Sequence, residues 1–303
     1  MIGSLVASVA GAALKDYICT WYANLYMKAI ADFQVGTLIA QIFTGNSSYH
    51  TMETALVNFI TGDIMNAMMA IGMAIATLFF IISLLDLAMT DRFTLEYFIK
   101  FLSKFAVSII LIVMCNEITQ LLNQFGSVFC GVIGDSFLDA SGMNDKIETF
   151  GNDLLAALKA SKVSWIFLVI SGMSSIAIMG IVSTFMTAIV YLVGFTRLFE
   201  MVIRGAFMPI AFAMLADDGW RGAGGRYIRK YLAICCQSAV LCMIGGIHSM
   251  AFRLVLEDQL TQIQDAAASG SMSGELVMLL GLSFAACSLM FKSIGIINDV
   301  FGA

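Results

Sequence analysis

Arg197, Glu200 and Arg204 stand three and four residues apart in an otherwise apolar stretch, the spacing that puts side chains on one face of a helix. Charges of opposite sign so placed can pair with one another. An ionisable residue in apolar surroundings is expensive and turns toward protein or water rather than lipid. Two roles fit the trio: a salt bridge that pins a helix end, or a polar lining or gate in an oligomeric channel. Glu117 is the next such charge. With Asn116, Thr119, Gln120, Asn123 and Gln124 it makes one apolar segment polar from its middle onward, which favours a position facing the interior or another subunit. A proton relay through Glu117 would need a matching buried base, and none is evident.

Other kinds of chemistry lack their residues. The seven cysteines lie mostly inside apolar runs and none forms Cys-x-x-Cys, so they read as small packing residues. His50 and His248 are too far apart in sequence to suggest a zinc site. There is no phosphate-binding glycine loop of the Walker type, no His-Glu-x-x-His and no Gly-x-Ser-x-Gly. Gly222, Gly224 and Gly225 precede Arg226 and Tyr227, which reads as a turn. No catalytic residue, metal or cofactor is expected, and the chain is not expected to be an enzyme.

The elements that must position these charges follow from composition. Of 303 residues, 60% are hydrophobic and 12% charged, against roughly 45–50% and about 25% in soluble domains. A spanning helix needs about 20 apolar residues. Runs of that kind predict five spans, at approximately 64–86, 105–134, 165–196, 231–252 and 276–292. The piece 198–216 carries Glu200, Arg204 and the sole proline, Pro209, and reads as a Pro-broken half-segment. Residues 1–62 are expected to form an extracytoplasmic, interfacial region, with an amphipathic helix over 17–43 rich in Trp21, Tyr22, Tyr26 and Phe33 and then a turn beginning at Gly45. Residues 1–14 carry no basic side chain ahead of their apolar stretch, so a cleaved signal peptide is not expected. Residues 63–303 form the polytopic domain. The expected fold class is all-α: a polytopic helical membrane protein.

Loop charge orients it. Basic residues concentrate in the loops 91–104 and 217–230, which should be cytoplasmic. The loops 135–162 and 253–275 should lie outside. The amino terminus is then outside and the carboxy terminus inside. Net charge is −5 with no basic tail, so nothing marks a nucleic-acid-binding domain.

One stretch is more distinctive. An apolar helix ends in Arg197, Leu198, Phe199 and Glu200, a second apolar piece carries Pro209, and Trp220, Gly225, Tyr227, Arg229, Ala233 and Gln237 open the next span. This resembles the TrbL-like membrane subunits of conjugation (type IV secretion) machines, especially those of integrative conjugative elements of Gram-positive bacteria. The similarity extends to the aromatic amino-terminal stretch and to Phe291, Lys292 and Gly295. No counterpart of the long carboxy-terminal domain of some members is expected in this sequence. The resemblance implies a homo-oligomeric ring in the cytoplasmic membrane. There it would act with other membrane subunits, a traffic ATPase and a coupling protein to pass single-stranded DNA with its relaxase. Trp220, Arg221, Arg226, Arg229 and Lys230 are then the candidates for contact with cytoplasmic partners. The alternative is a stand-alone secondary transporter or small-molecule channel, for which Pro209 offers one helix break. Against it stand the odd span count, the interfacial first 62 residues and the lack of an internal repeat.

Overall fold

The computed structural model describes residues 2–32, 34–44, 48–89, 95–138, 143–160, 165–269 and 273–302, and every regular element among them is helical. In chain order these are α1 (Ile2–Asp32), α2 (Val35–Thr44), α3 (Ser48–Phe59), a π turn (Ile60–Ile64), α4 (Met65–Met89), α5 (Leu95–Val113) and α6 (Cys115–Leu138). Then follow α7 (Met143–Ala160), α8 (Trp165–Ala206), α9 (Met208–Asp218), a 3-10 turn (Gly219–Arg221), α10 (Ala223–Ser269) and α11 (Ser273–Phe301). The expected turn beginning at Gly45, and Arg92 of the 91–104 loop, lie outside the described residues.

Four stretches among the described residues are long and apolar enough to cross a membrane: Met65–Met89, Ile176–Ala206, Ala223–Val255 and Met278–Phe301. The pair α5 and α6, bent by 67°, makes a fifth if both halves belong to one span. The outward residues of α4 include Leu78, Ile81, Ile82 and Leu85. A helix that is apolar inside and out needs lipid or protein around it, because its backbone groups are satisfied internally and its side chains gain nothing from water. The chain is an all-α, multi-pass membrane protein.

Several element boundaries differ from those expected, for one shared reason. Charge ends an apolar run without ending a helix, since Lys, Arg and Glu are good helix formers. Thus α10 continues through much of the expected 253–275 loop to Ser269, α7 occupies most of the expected 135–162 loop, and α5 begins at Leu95, making Lys100 and Lys104 helical. The second expected span, 105–134, is two helices joined at Met114. The half-segment expected over 198–216 starts later. Residues up to Ala206 continue α8, the chain turns at Phe207 (φ −88°, ψ 2°), and α9 begins with Pro209 in its first turn. There the missing proline N–H has no intrahelical partner to lose, so proline starts the helix instead of breaking one.

Contacts group the chain into two units. The first comprises Met1–Ala40, Asp135–Leu192 and Met243–Met290, the second Gln41–Gly134, Val193–Cys242 and Phe291–Ala303. In the first unit, α1 packs on α7. Cys19, Tyr22, Tyr26 and Ile30 are spaced three to four apart and buried, and the Tyr26 ring stacks on Phe150 at 5.9 Å. Two of the aromatics expected at an interface, Tyr22 and Tyr26, therefore face protein, whereas Tyr17 and Trp21 are exposed. Lys159 pairs with Asp16 at 2.6 Å across the same two helices. His248 on α10 shares a hydrogen bond with the Ser283 hydroxyl on α11 at 3.2 Å.

In the second unit, α9 lies against both α4 and α5. The Ser108 hydroxyl of α5 donates to the Phe212 carbonyl of α9, and Phe80 of α4 stacks on Phe101 and Phe105 of α5 at 5.2 and 4.3 Å. Gly72 of α4 faces the start of α9. A β-carbon there would stand 2.8 Å from the Pro209 carbonyl oxygen, which is rigid backbone. Gly219, at φ +66°, ends α9 in a backbone region that side chains disfavour. Gly72→Leu should therefore push α9 off α4. The expected loss is about 1–3 kcal/mol, the usual range for overpacking, read as a lower thermal midpoint in detergent and less protein in the membrane. An unchanged midpoint would show that α9 is loosely held.

Candidate functional site

Among the described residues the most enclosed charge is Arg197, only 4% exposed. Its neighbours come from three helices of the second unit. From α3, the Glu53 carboxylate accepts from Nη1 at 3.1 Å and the Tyr49 hydroxyl accepts from the same nitrogen at 3.3 Å. From α10, the Ile234 and Cys235 carbonyls accept longer bonds from Nε and Nη2, at 3.4 and 3.5 Å. Phe43 of α2 lies with its ring centroid 6.0 Å from the guanidinium carbon, at the outer limit of a cation–π contact. The Tyr49 hydroxyl donates a hydrogen bond to the Gly194 carbonyl at 2.9 Å, which ties α3 to the preceding turn of α8. Burial pushes the Tyr49 phenol above its ordinary value, and the Arg197 charge partly opposes that rise. The hydroxyl thus stays protonated and remains a donor.

The local sequence explains the meeting. Tyr49 and Glu53 are four apart on α3 and share a face. Only an arginine carries enough donors, fanned in one plane, to serve a carboxylate, a hydroxyl and two carbonyls at once. The expected trio of Arg197, Glu200 and Arg204 does not form. Among the described residues Glu200 is bound by Arg204, with Oε1 accepting from Nε at 2.9 Å and Nη2 at 2.6 Å. That pair is about one-third exposed on each side. The three residues share a helix face only roughly, and Arg197 is drawn inward to Glu53. The Arg204 carbonyl also accepts from the Tyr227 hydroxyl at 3.1 Å, joining α8 to the first turns of α10.

Glu117 lies close to the bend of the α5–α6 pair, near the middle of the fifth span if both halves belong to one. It occupies the first turn of α6, just past the bend, where the helix dipole favours a carboxylate. Its companions divide. Thr119 is buried, and Asn123 accepts from the Tyr231 hydroxyl at 2.9 Å. Glu117, Gln120, Gln124 and Ser127 recur every three or four residues and are all exposed, a polar stripe bordered by exposed Leu121, Phe125 and Val128. Pro209 lies where α8 and α9 part. Trp220 and Arg221 form the 3-10 turn after α9, and Arg226, Arg229 and Lys230 follow on the opening turns of α10.

Two residues of the Arg197 site, Tyr49 and Glu53, were not singled out from the sequence. The available signal was Glu53 itself, the one Asp, Glu, Lys or Arg between Asp32 and Asp63. The cysteines are buried and free, with Cys130 and Cys242 in contact at 2.9 Å. No group of His, Cys, Asp or Glu among the described residues is arranged to hold a metal ion. Among the described residues the site consists of the Arg197–Glu53 ion pair and a polar helix face.

The two ion pairs should respond differently to loss of their acids. Glu53→Ala leaves a buried guanidinium without its counter-charge, which costs about 3–5 kcal/mol, whereas an exposed pair such as Glu200 with Arg204 is worth about 0–1 kcal/mol. Thermal unfolding in detergent should show a large fall for Glu53→Ala and little change for Glu200→Ala. The reverse order would mean that Arg197 finds its counter-charge elsewhere.

Compared with known proteins, the chain matches no family model, no curated protein and no solved structure.

Proposed function

We propose that this chain is a channel or scaffold subunit of a conjugative type IV secretion apparatus, acting as a homo-oligomer in the cytoplasmic membrane without catalysis of its own. The observation that carries the channel reading is the exposed stripe of Glu117, Gln120, Gln124 and Ser127 on α6. Lipid is a poor neighbour for it, and a second subunit or a water-filled path is a good one. The conjugation reading rests on the TrbL-like pattern over residues 197–237. Within that stretch Arg197 on α8 reaches the Ile234 and Cys235 carbonyls on α10, so the resemblance falls on residues that pack together.

In this reading other conjugation membrane subunits, the traffic ATPase and the coupling protein are its partners, and single-stranded DNA with its relaxase is the cargo. Trp220, Arg221, Arg226, Arg229 and Lys230 face the cytoplasm, with the amino terminus outside. A stand-alone transporter or small-molecule channel is the second reading. The 67° bend between α5 and α6 and the break at Pro209 favour it, since discontinuous helices build many transporter sites.

Replacing the stripe with leucine, as Gln120→Leu with Gln124→Leu, should leave membrane abundance unchanged, abolish DNA transfer to recipient cells and weaken crosslinked oligomers. Transfer that survives deletion of the whole chain would remove the conjugation reading. Solute uptake by the purified chain alone in liposomes would establish the transporter instead.

Orientation is tested separately with a single cysteine at Ala223 on a background without native cysteines. An impermeant maleimide added to intact cells should not label it, and should do so only after the membrane is opened. Labelling from outside would invert the topology.

A further inference from the structure

The second unit carries two clefts at one end of the α4, α5 and α9 group, both lined by Lys104. The larger, about 450 Å³, lies between α5 and the end of α9, where Lys104 and Arg221 stand with Val107, Leu111, Leu215 and Trp220. The smaller, about 290 Å³, lies between α4 and α5, where Lys100 and Lys104 stand with Ser83, Leu87 and Tyr97. Among the described residues no acidic side chain lines either cleft. Lys100, Lys104 and Arg221 have no carboxylate partner among the described residues, and Asp217, one turn before Arg221, does not join the lining.

Depth is read from α4. Its uncharged run ends at Asp86, and Ser83 and Leu87 of the smaller cleft flank that point. Phe80 stacks on Phe101 and Phe105, so Lys100 and Lys104 are level with the same end of the apolar run. The basic groups therefore stand where hydrocarbon gives way to headgroups, with Trp220 and Tyr97 beside them, the aromatic types that favour that zone. Away from the charges, the larger cleft passes onto apolar surface, because Val107 is half exposed and Ile110 beside it also faces outward. A ligand matching both ends has a negative head and an apolar tail.

We propose that these clefts form a binding site for an anionic phospholipid, whose phosphate is held between Lys104 and Arg221 and whose acyl chain lies along Val107 and Leu111. Lys100 adds charge from the neighbouring cleft. The site is independent of the conjugation reading, since it rests on charge and apolar surface alone. Occupying it would tie the end of α9 to α5 in the bilayer.

The full chain, purified in mild detergent and mixed with equal amounts of phosphatidylglycerol and phosphatidylcholine, is examined by native mass spectrometry. Phosphatidylglycerol should be retained selectively. Each basic residue near an anionic lipid surface contributes about fivefold in affinity, so Lys104→Ala or Arg221→Ala should reduce retention by about that factor. Lys104→Arg should preserve it, which separates lost charge from a damaged fold. Lys28→Ala, on exposed α1 surface outside the clefts, should leave it unchanged. Equal retention of both lipids, or an equal loss in Lys28→Ala, would overturn the proposal. Inorganic phosphate is the second arm: thermal stabilisation by phosphate matching that by phosphatidylglycerol would mean a free-anion site and overturn the lipid assignment.

Discussion

A guanidinium buried among apolar helices must find every one of its partners from protein, because neither lipid nor the packed interior supplies water. Arg197 meets that demand by drawing α3 and α10 onto α8 through Glu53, Tyr49 and the Ile234 and Cys235 carbonyls. An apolar contact tolerates sliding, whereas these bonds do not. The relative register of three helices in the second unit is consequently set at one point. Such a pair adds little net stability over a well-packed apolar alternative, but removing half of it is severe. Its value lies in specifying one arrangement among the many that similar greasy helices permit.

Around that point, the second unit uses close backbone approach and polar anchors in place of large apolar layers. Gly72 lets α4 approach the Pro209 carbonyl, and Ser108 reaches the Phe212 carbonyl from α5. Between membrane helices, where lipid is as apolar as leucine, small residues and hydrogen bonds are the forces that distinguish protein from lipid contact. The α4 surface left outward is apolar and suits lipid, while α6 presents a polar stripe that does not. That contrast separates a lipid-facing helix from one whose face seeks water or another subunit. It is the physical ground for reading the chain as a conduit or scaffold component.

The class of protein was legible in the sequence. Long uncharged runs at 64–85 and 231–252 point to helices in lipid, because only helices and closed barrels satisfy their backbone there and these runs have the length of a spanning helix rather than of a barrel strand. The isolated arginines and Glu117 were legible as constrained, since a charge in such a run is always accounted for. The sequence also marked Pro209 as a discontinuity, and the structure makes it the start of α9.

Partnership was decided only by the fold. Glu200 and Glu53 carry the same carboxylate, and spacing along the chain favoured Glu200 as the mate of Arg197. Yet the near neighbour on the same helix faces the half-exposed side with Arg204, and the distant Glu53 meets Arg197 in the interior. Likewise Tyr22 and Tyr26 have the composition of an interfacial belt and lie instead against α7. Helical periodicity states which residues share a face, and hydropathy states what solvent that face accepts. Neither states which other helix will cover it, because that depends on shape and hydrogen bonding between segments far apart in the chain.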